Sequence, residues 1–206
     1  RQLLIHEVMG RHCGWLTAAT AQEYLNRLET KEFLPELLID KNRWDIDAIY
    51  IPELAIDFEQ EVERLTKRMD EKDGVNIFLS EGAGIGTIVE EMGREGKEIP
   101  RDAFGHVRLD EMNPGQWFAS QFSELLGAKK TLVQKSGYFA RSAAPNEKDL
   151  TLIKQSAKFS AECALAGQNG AVGMDQEKEG EISLIDFNRL IFTVTIFSGF
   201  SFEIFS

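Results

Sequence analysis

Short apolar runs alternate with helix-like segments along most of the chain, and this alternation restricts the fold more than any other feature. The strand-like runs lie at residues 3–8, 75–80 and 129–134, and a further run, WDIDAIYIPE, is rich in β-branched and aromatic residues and stops at Pro52. Strands that alternate with helices indicate βαβ units. The sequence therefore predicts an α/β fold with a mostly parallel sheet.

The predicted helices show an apolar face at helical spacing. Phe58, Val62, Leu65 and Met69 follow one another at intervals of four, three and four, and Asp73-Gly74 is expected to end that helix. The other helices are predicted over residues 14–28, from the segment EGAGIG through Met92, from Pro114 onwards, and from a cap at Asn146.

Composition limits the class of protein and of partner. The 206 residues carry a net charge of -11, with 43% hydrophobic and 28% charged residues, which is typical of a soluble globular protein. An acidic balance argues against nucleic acid or an anionic membrane as partner. Cys13 and Cys163 are expected to be buried or half-buried free thiols in a reducing compartment, which agrees with a cytoplasmic protein. The chain opens at Arg1 directly in a strand, so we expect it to be cut from something longer.

Ligands of open α/β sheets bind at the carboxyl ends of the strands, so the segments that follow the strands hold the candidate site. Met9, Gly10 and Arg11 follow the first strand, where a glycine allows close backbone approach and a guanidinium lies beside a helix start. These residues form a plausible anion pocket. The alternative is an ordinary helix-start turn with a surface arginine.

Glu81 follows the second clear strand and opens the segment EGAGIG. Its carboxylate can accept hydrogen bonds from sugar hydroxyls, and the glycines would let a ligand approach the backbone. The segment is a poor dinucleotide fingerprint, and the chain has no P-loop sequence. A plain strand-to-helix turn is the alternative.

Lys135, Tyr138 and Arg141 follow the run KKTLVQ and suit a sugar phosphate. Arg141 can grip a phosphate with two parallel hydrogen bonds, Lys135 supplies a point charge and Tyr138 a hydroxyl. The acidic run DQEKEGE at residues 175–181 is predicted to be a solvated turn between two strands.

Three of these segments together resemble the phosphofructokinase superfamily. EVMGRHCGWLTAATA resembles its M-G-R-x-x-G segment, FLSEGAG its strand-end glutamate segment, and KSGYFARSA its G-Y-x-x-R segment, in the family's order. The resemblance runs from about residue 4 to about residue 190. It implies a Rossmann-like three-layer domain that forms the substrate-binding portion of a phosphofructokinase fold.

The resemblance also implies the roles of residues. Met9, Gly10, Arg11, Glu81, Tyr138 and Arg141 would contact fructose 6-phosphate, and Arg11 would also face the transferring phosphoryl group. The form G-Y-F-A-R preceded by Lys135 is closer to members that use pyrophosphate as the phosphoryl donor. An ATP-dependent kinase and a non-catalytic, regulatory paralogue that binds sugar phosphate remain alternatives. Family members are commonly homo-oligomers, so a homo-oligomeric parent is expected.

Two family segments have no counterpart in the chain. The G-G-D-D-S segment for phosphate and Mg²⁺ and the T-I-D segment with the general base are both missing. We therefore expect Mg²⁺ to be bound by residues outside this chain, and the chain alone to be inactive. Residues 1–190 are predicted to form one sugar-phosphate-binding domain, followed by a Phe-rich tail at 191–206 that matches nothing expected of the family.

Overall fold

The structure, a computed structural model, describes residues 1–190 except residues 38, 104 and 106. The chain divides into two compact units, Arg1–Ser142 and Ala143–Ser206. The strands of the first unit are β1 Gln2–Val8, β2 Ala48–Tyr50, β3 Gly74–Ser80 and β4 Lys130–Lys135. Its α-helices are α1 Trp15–Glu29, α2 Phe58–Lys72, α3 Ile85–Arg94, α4 Leu109–Met112, α5 Pro114–Leu125 and α6 Gly137–Ser142.

The four strands form one parallel sheet in the order β2-β3-β1-β4. The strands predicted at residues 3–8, 75–80 and 129–134 are confirmed to within two residues. The run WDIDAIYIPE forms only the three-residue strand β2. Just before β2, the backbone N–H of Asp47 donates to the Asn76 carbonyl oxygen at 2.8 Å, and the Asp47 carboxylate accepts the backbone N–H of Asn76 at 2.8 Å.

Alternate residues of the strands face opposite layers of helices. Ile5, Ile77 and Leu79 lie in the larger core, where they pack with residues of α2 and α5. Within that core, the Phe58 and Phe122 rings stack at a centroid distance of 4.7 Å. Burial and a hydrogen bond to Glu61 raise the pKa of Tyr50 well above its usual value.

The opposite face of the sheet packs against α1. Phe78 and Val8 contact Ala21 in a second, smaller core, and His6 stacks on Phe78 with 4.7 Å between the ring centroids. Burial of the imidazole lowers the pKa of His6 below its ordinary value. With helices on both faces of a parallel sheet, the predicted three-layer α/β fold is confirmed.

Helix ends follow the sequence signals. Asp57 caps α2 by accepting the N–H of Gln60 at 3.1 Å, and Asp73 ends it in the left-handed region with φ of 57°. In the second unit, Asn146 and Asp149 form a capping box at the start of α7 Glu147–Leu165. The end of α2 at Asp73 and the start of α7 at Asn146 were predicted from the sequence and are confirmed.

In the second unit, α7 is followed by an antiparallel hairpin and a short helix. The hairpin consists of β5 Ala171–Asp175 and β6 Glu181–Ile185, and α8 spans Phe187–Leu190. Asp175 is 1% exposed, and its two carboxylate oxygens each accept a hydrogen bond from Arg189 at 2.8 Å. The prediction that the whole run 175–181 is solvated is therefore wrong at Asp175. This carboxylate is buried because Arg189, 14 residues later in the chain, neutralises its charge.

Cys13 and Cys163 are both free thiols, and Cys163 is buried as predicted. The prediction that Cys13 is buried or half-buried is wrong, because Cys13 is exposed in the loop that precedes α1. None of the helices in the described residues is long and apolar enough to cross a bilayer. The single domain proposed for residues 1–190 stays a prediction. The Phe-rich tail at 191–206 lies outside the described residues.

Candidate functional site

The loops that follow β1, β3 and β4 leave the sheet side by side. Val8 lies opposite Ser80 in the parallel register, and Glu7 lies opposite Lys135. The segments beginning at Met9, Glu81 and Ser136 therefore start at the same edge of the sheet. This is the carboxyl edge, where ligands of open α/β sheets bind.

Ser80, the last residue of β3, and Glu81, which follows it, both form hydrogen bonds with the backbone of Gly10. Its N–H donates to Glu81 Oε1 at 3.2 Å, and its carbonyl oxygen accepts from the Ser80 hydroxyl at 2.6 Å. Gly10 has φ of 149°, and a Cβ on it would lie 2.3 Å from the carbonyl oxygen of Cys13. The glycine is thus required by the turn itself, and Glu81 is brought to the loop that carries Arg11.

Gly82 lets the two loops touch. Its N–H donates to the Gly10 carbonyl oxygen at 3.2 Å, and a Cβ on Gly82 would lie 1.8 Å from the Arg11 carbonyl oxygen. The sequence predicted that this glycine would let a ligand approach. In the structure, the backbone that approaches is the loop after β1.

Arg11 is exposed and lies four residues before the start of α1. Within the described residues, its guanidinium has no hydrogen bond and no ion pair. The loop is fixed at its far end, where the N–H of Gly14 donates to both oxygens of Glu53 at 2.8 and 3.0 Å. Glu53 follows β2, so the sequence analysis missed a second strand-end carboxylate, besides Glu81, that holds this loop.

Met9 connects the first loop to the segment after β4. A Cβ on Gly137 would lie 3.2 Å from the Met9 Cγ atom, so the start of α6 packs directly against the Met9 side chain. Tyr138 and Arg141 lie three residues apart on α6 and share one face of that helix. Tyr138 is 88% exposed, and in the described part of the chain neither the Tyr138 hydroxyl nor the Arg141 guanidinium has a partner.

Lys135 ends β4 and is paired. Its Nζ lies 3.3 Å from Glu7 Oε1, and its side chain is 47% exposed. Glu7 is the second residue that the sequence analysis missed. It lies in the predicted first strand, where nothing in the local pattern shows that its carboxylate is buried.

The carboxyl edge therefore gathers every residue predicted for the site: Met9, Gly10, Arg11, Glu81, Lys135, Tyr138 and Arg141. Three carboxylates behind the loops accept N–H groups of glycines, whereas two guanidinium groups stay open to solvent. This arrangement can bind a phosphorylated, hydroxyl-bearing ligand. The roles of the individual residues remain predictions. Across the described ranges, no group of three or more His, Cys, Asp or Glu side chains could hold a metal ion.

Curated proteins similar to the chain share one name. The chain is 53% identical over 190 residues to the pyrophosphate--fructose 6-phosphate 1-phosphotransferase of Methylomonas methanica, covering 92% of this chain and 46% of that protein. It is 53% identical to the protein of that name from Propionibacterium freudenreichii and 52% identical to that from Mastigamoeba balamuthi, again over 92% of this chain. The chain thus spans under half the length of these relatives.

Solved structures with a similar fold are also phosphofructokinases. A pyrophosphate-dependent phosphofructokinase from Nitrosospira multiformis matches with a TM-score of 0.52 and 18% identity, over 91% of this chain and 39% of that one. The enzyme from Marinobacter aquaeolei matches with a TM-score of 0.50 and 21% identity, over 88% and 38%. No protein-family model matches the chain. The resemblance seen in the sequence motifs is confirmed, and so is the fold class.

Proposed function

We propose that this chain is the fructose 6-phosphate-binding part of a pyrophosphate-dependent 6-phosphofructokinase, an enzyme of glycolysis. The parent would convert pyrophosphate and D-fructose 6-phosphate into phosphate and D-fructose 1,6-bisphosphate. The observation that carries the proposal is the meeting of three strand-end loops at one sheet edge, with two guanidinium groups that have no partner among the described residues. The names of relatives that are about half identical to the chain support the same reaction.

Each predicted residue has a role that its surroundings allow. Arg141, Lys135 and Tyr138 would bind the 6-phosphate group, since all three lie at the end of β4 or on α6. Glu81 uses one carboxylate oxygen to hold Gly10 and keeps the other for a sugar hydroxyl. Met9 and Gly10 would form the wall of the sugar site.

Arg11 would act on the reacting end of the substrate. Phosphoryl transfer asks a protein mainly for positioning and for stabilisation of charge on the transferred group. The Arg11 guanidinium is exposed at the carboxyl edge and can supply that charge. The general base, the donor pocket and the ligands of Mg²⁺ would come from parts of the parent outside this chain. We also propose that the parent protein is homo-oligomeric and cytoplasmic.

The test is calorimetric titration of the 206-residue chain with fructose 6-phosphate, and with fructose as a ligand that lacks the phosphate. Arg141→Ala should weaken binding of fructose 6-phosphate by roughly 10- to 100-fold, because a charge-assisted phosphate contact contributes about 1.5–3 kcal/mol. Arg27→Ala is the matched control. Arg27 is also an exposed helical arginine, but its partner is Glu23 on the same helix.

Three results would count against the proposal. The unaltered chain could fail to bind fructose 6-phosphate, it could bind fructose equally well, or Arg27→Ala could weaken binding as much as Arg141→Ala. The donor is tested separately on the full-length parent, by comparing product formation with pyrophosphate and with ATP. Turnover with ATP alone would reject pyrophosphate as the donor and leave the sugar-phosphate site standing.

A further inference from the structure

We propose that Glu7, a residue with no assigned role, positions Lys135 for the substrate phosphate. The inference rests on the proposed function and adds a residue that would not itself touch the substrate. Glu7 is the next-to-last residue of β1 and lies two residues before Met9. Its side chain is only 9% exposed, which makes it a buried carboxylate directly behind the candidate site.

A buried carboxylate is costly unless it is paired and hydrogen-bonded. Glu7 Oε2 accepts the backbone N–H of Gly115 at 2.7 Å, and Glu7 Oε1 lies 3.3 Å from Lys135 Nζ. Gly115 lies in the first turn of α5, whose N-terminal end favours negative charge. The fold therefore provides one fixed backbone donor for Glu7, and the Lys135 ammonium group supplies the positive charge beside its other oxygen.

The contact with α5 requires a glycine. A Cβ on Gly115 would lie 2.2 Å from Glu7 Oε2 and 3.0 Å from Val133 Cγ1. The helix end can approach the carboxylate only because that side chain is absent. Glu7 is thereby held from one side, with its other oxygen directed to the end of β4.

Glu7 also fixes the main chain that follows Lys135. Its carbonyl oxygen accepts both the N–H of Ser136 at 2.9 Å and the Ser136 hydroxyl at 3.1 Å. One residue of β1 therefore restrains the lysine side chain and the turn that leads to Tyr138 and Arg141. A flexible lysine loses less conformational entropy on binding when its ammonium group is already held near the ligand.

The direction in which Glu7→Gln changes the affinity for an anionic ligand distinguishes a positioning role from simple electrostatic repulsion. Glu7→Gln keeps the shape of the side chain and an oxygen for the Gly115 N–H, but removes a negative charge from the site. Through-space repulsion alone predicts that an anionic ligand then binds more tightly. Positioning predicts weaker binding, because Lys135 is released.

The experiment is a double-mutant cycle on the 206-residue chain, with fructose 6-phosphate titrated into Glu7→Gln, Lys135→Ala, the double variant and the unaltered chain. We expect Glu7→Gln to weaken binding roughly three- to thirtyfold when Lys135 is present, within the usual range for charged neighbours in contact. In the Lys135→Ala background the same change should alter binding less than twofold. Glu61→Gln is the matched control. It removes a half-buried carboxylate that pairs with Arg64, and it should leave fructose 6-phosphate affinity unchanged.

Tighter binding by Glu7→Gln, or an equal loss with and without Lys135, would overturn the inference and leave the proposed function intact. Absence of fructose 6-phosphate binding by the unaltered chain would instead reject the proposed function and the inference with it. Circular dichroism checks folding of each variant. If Glu7→Gln does not fold, Glu7→Asp takes its place in the cycle, since it keeps the charge but is too short to reach both partners. Unchanged binding by Glu7→Asp would then reject the positioning role.

Discussion

Gly82 and Gly86 belong to the same six-residue segment but differ in what a methyl group would meet, and this difference tests the loop arrangement at the carboxyl edge. A Cβ on Gly82 would lie 1.8 Å from the Arg11 carbonyl oxygen and 2.8 Å from that of Gly10. Ordinary contact begins at about 3.4 Å. Gly82→Ala must therefore separate the loops after β1 and β3 by more than about 1 Å.

That separation has a calculable cost. It breaks the hydrogen bond from Gly82 N–H to the Gly10 carbonyl oxygen and the one from Gly10 N–H to the Glu81 carboxylate. A neutral hydrogen bond contributes about 0.5–1.5 kcal/mol and one to a charged group about 1.5–3 kcal/mol, so the free energy of unfolding should fall by about 2–4.5 kcal/mol. For a domain of this size, that lowers the melting temperature by roughly 4–18 °C.

Two measurements on the same samples check the prediction. Urea unfolding gives the free energy of unfolding, and calorimetric titration gives the affinity for fructose 6-phosphate. Because Arg11 and Glu81 lie on the two displaced segments, we expect binding at least about tenfold weaker, the equivalent of one lost neutral contact of about 1.4 kcal/mol.

Gly86→Ala is the matched control. A Cβ there would have no heavy atom of the described residues within 4 Å, and Gly86 is exposed in the first turn of α3. Alanine is the better helix former by up to about 1 kcal/mol, so this variant should be as stable as the unaltered chain or more so. Equal stability and equal binding in both variants would refute the contact between the loops and the reasoning built on it.

Three further predictions concern pH and turnover. Arg189 holds the pKa of Asp175 well below its usual value, so the ion pair stabilises the β5–β6 hairpin above about pH 4. Hydrogen-exchange protection of the hairpin should therefore be lost as pH falls below that value. Asp175→Asn should remove this pH dependence. Burial lowers the pKa of His6 in the folded state, so the free energy of unfolding of the first unit should be highest above about pH 6.5 and decrease as pH falls below that value. In His6→Gln the free energy of unfolding should not change with pH in this range. In a coupled assay with fructose 6-phosphate, pyrophosphate and Mg²⁺, the 206-residue chain should form no fructose 1,6-bisphosphate. The reason is that loss of a general base alone lowers the rate by about 10²- to 10⁴-fold. Measurable product would contradict this prediction.

The sheet and the loops of the site could be predicted because their signals are local. A buried parallel strand is a continuous apolar run, and in a parallel sheet the residue after each run must lie at the same edge. Arg11, Glu81 and Lys135 could therefore be placed together before any contact was known. The helix ends at Asp73 and Asn146 were local signals of the same kind.

The residues that the sequence did not reveal depend on contacts between distant segments. Glu7 is buried because Gly115, 108 residues away, brings a helix end against it. Glu53 accepts the Gly14 N–H from 39 residues away, and Asp175 is neutralised by Arg189 beyond the next strand. In each case the sequence shows an ordinary acidic residue, and only the tertiary fold supplies its partner.

The same contacts explain how an acidic chain can offer an anion site. The net charge is -11, yet three strand-end carboxylates at the carboxyl edge, those of Glu7, Glu53 and Glu81, accept backbone N–H groups of glycines. The guanidinium groups of Arg11 and Arg141 have no such partner in the described part of the chain. At physiological ionic strength, charges more than about 8 Å apart are largely screened, so the local groups and not the net charge decide what binds. Neutralising acidic residues on the far surface should therefore change fructose 6-phosphate affinity little, whereas any change that frees one of the three carboxylates should weaken it.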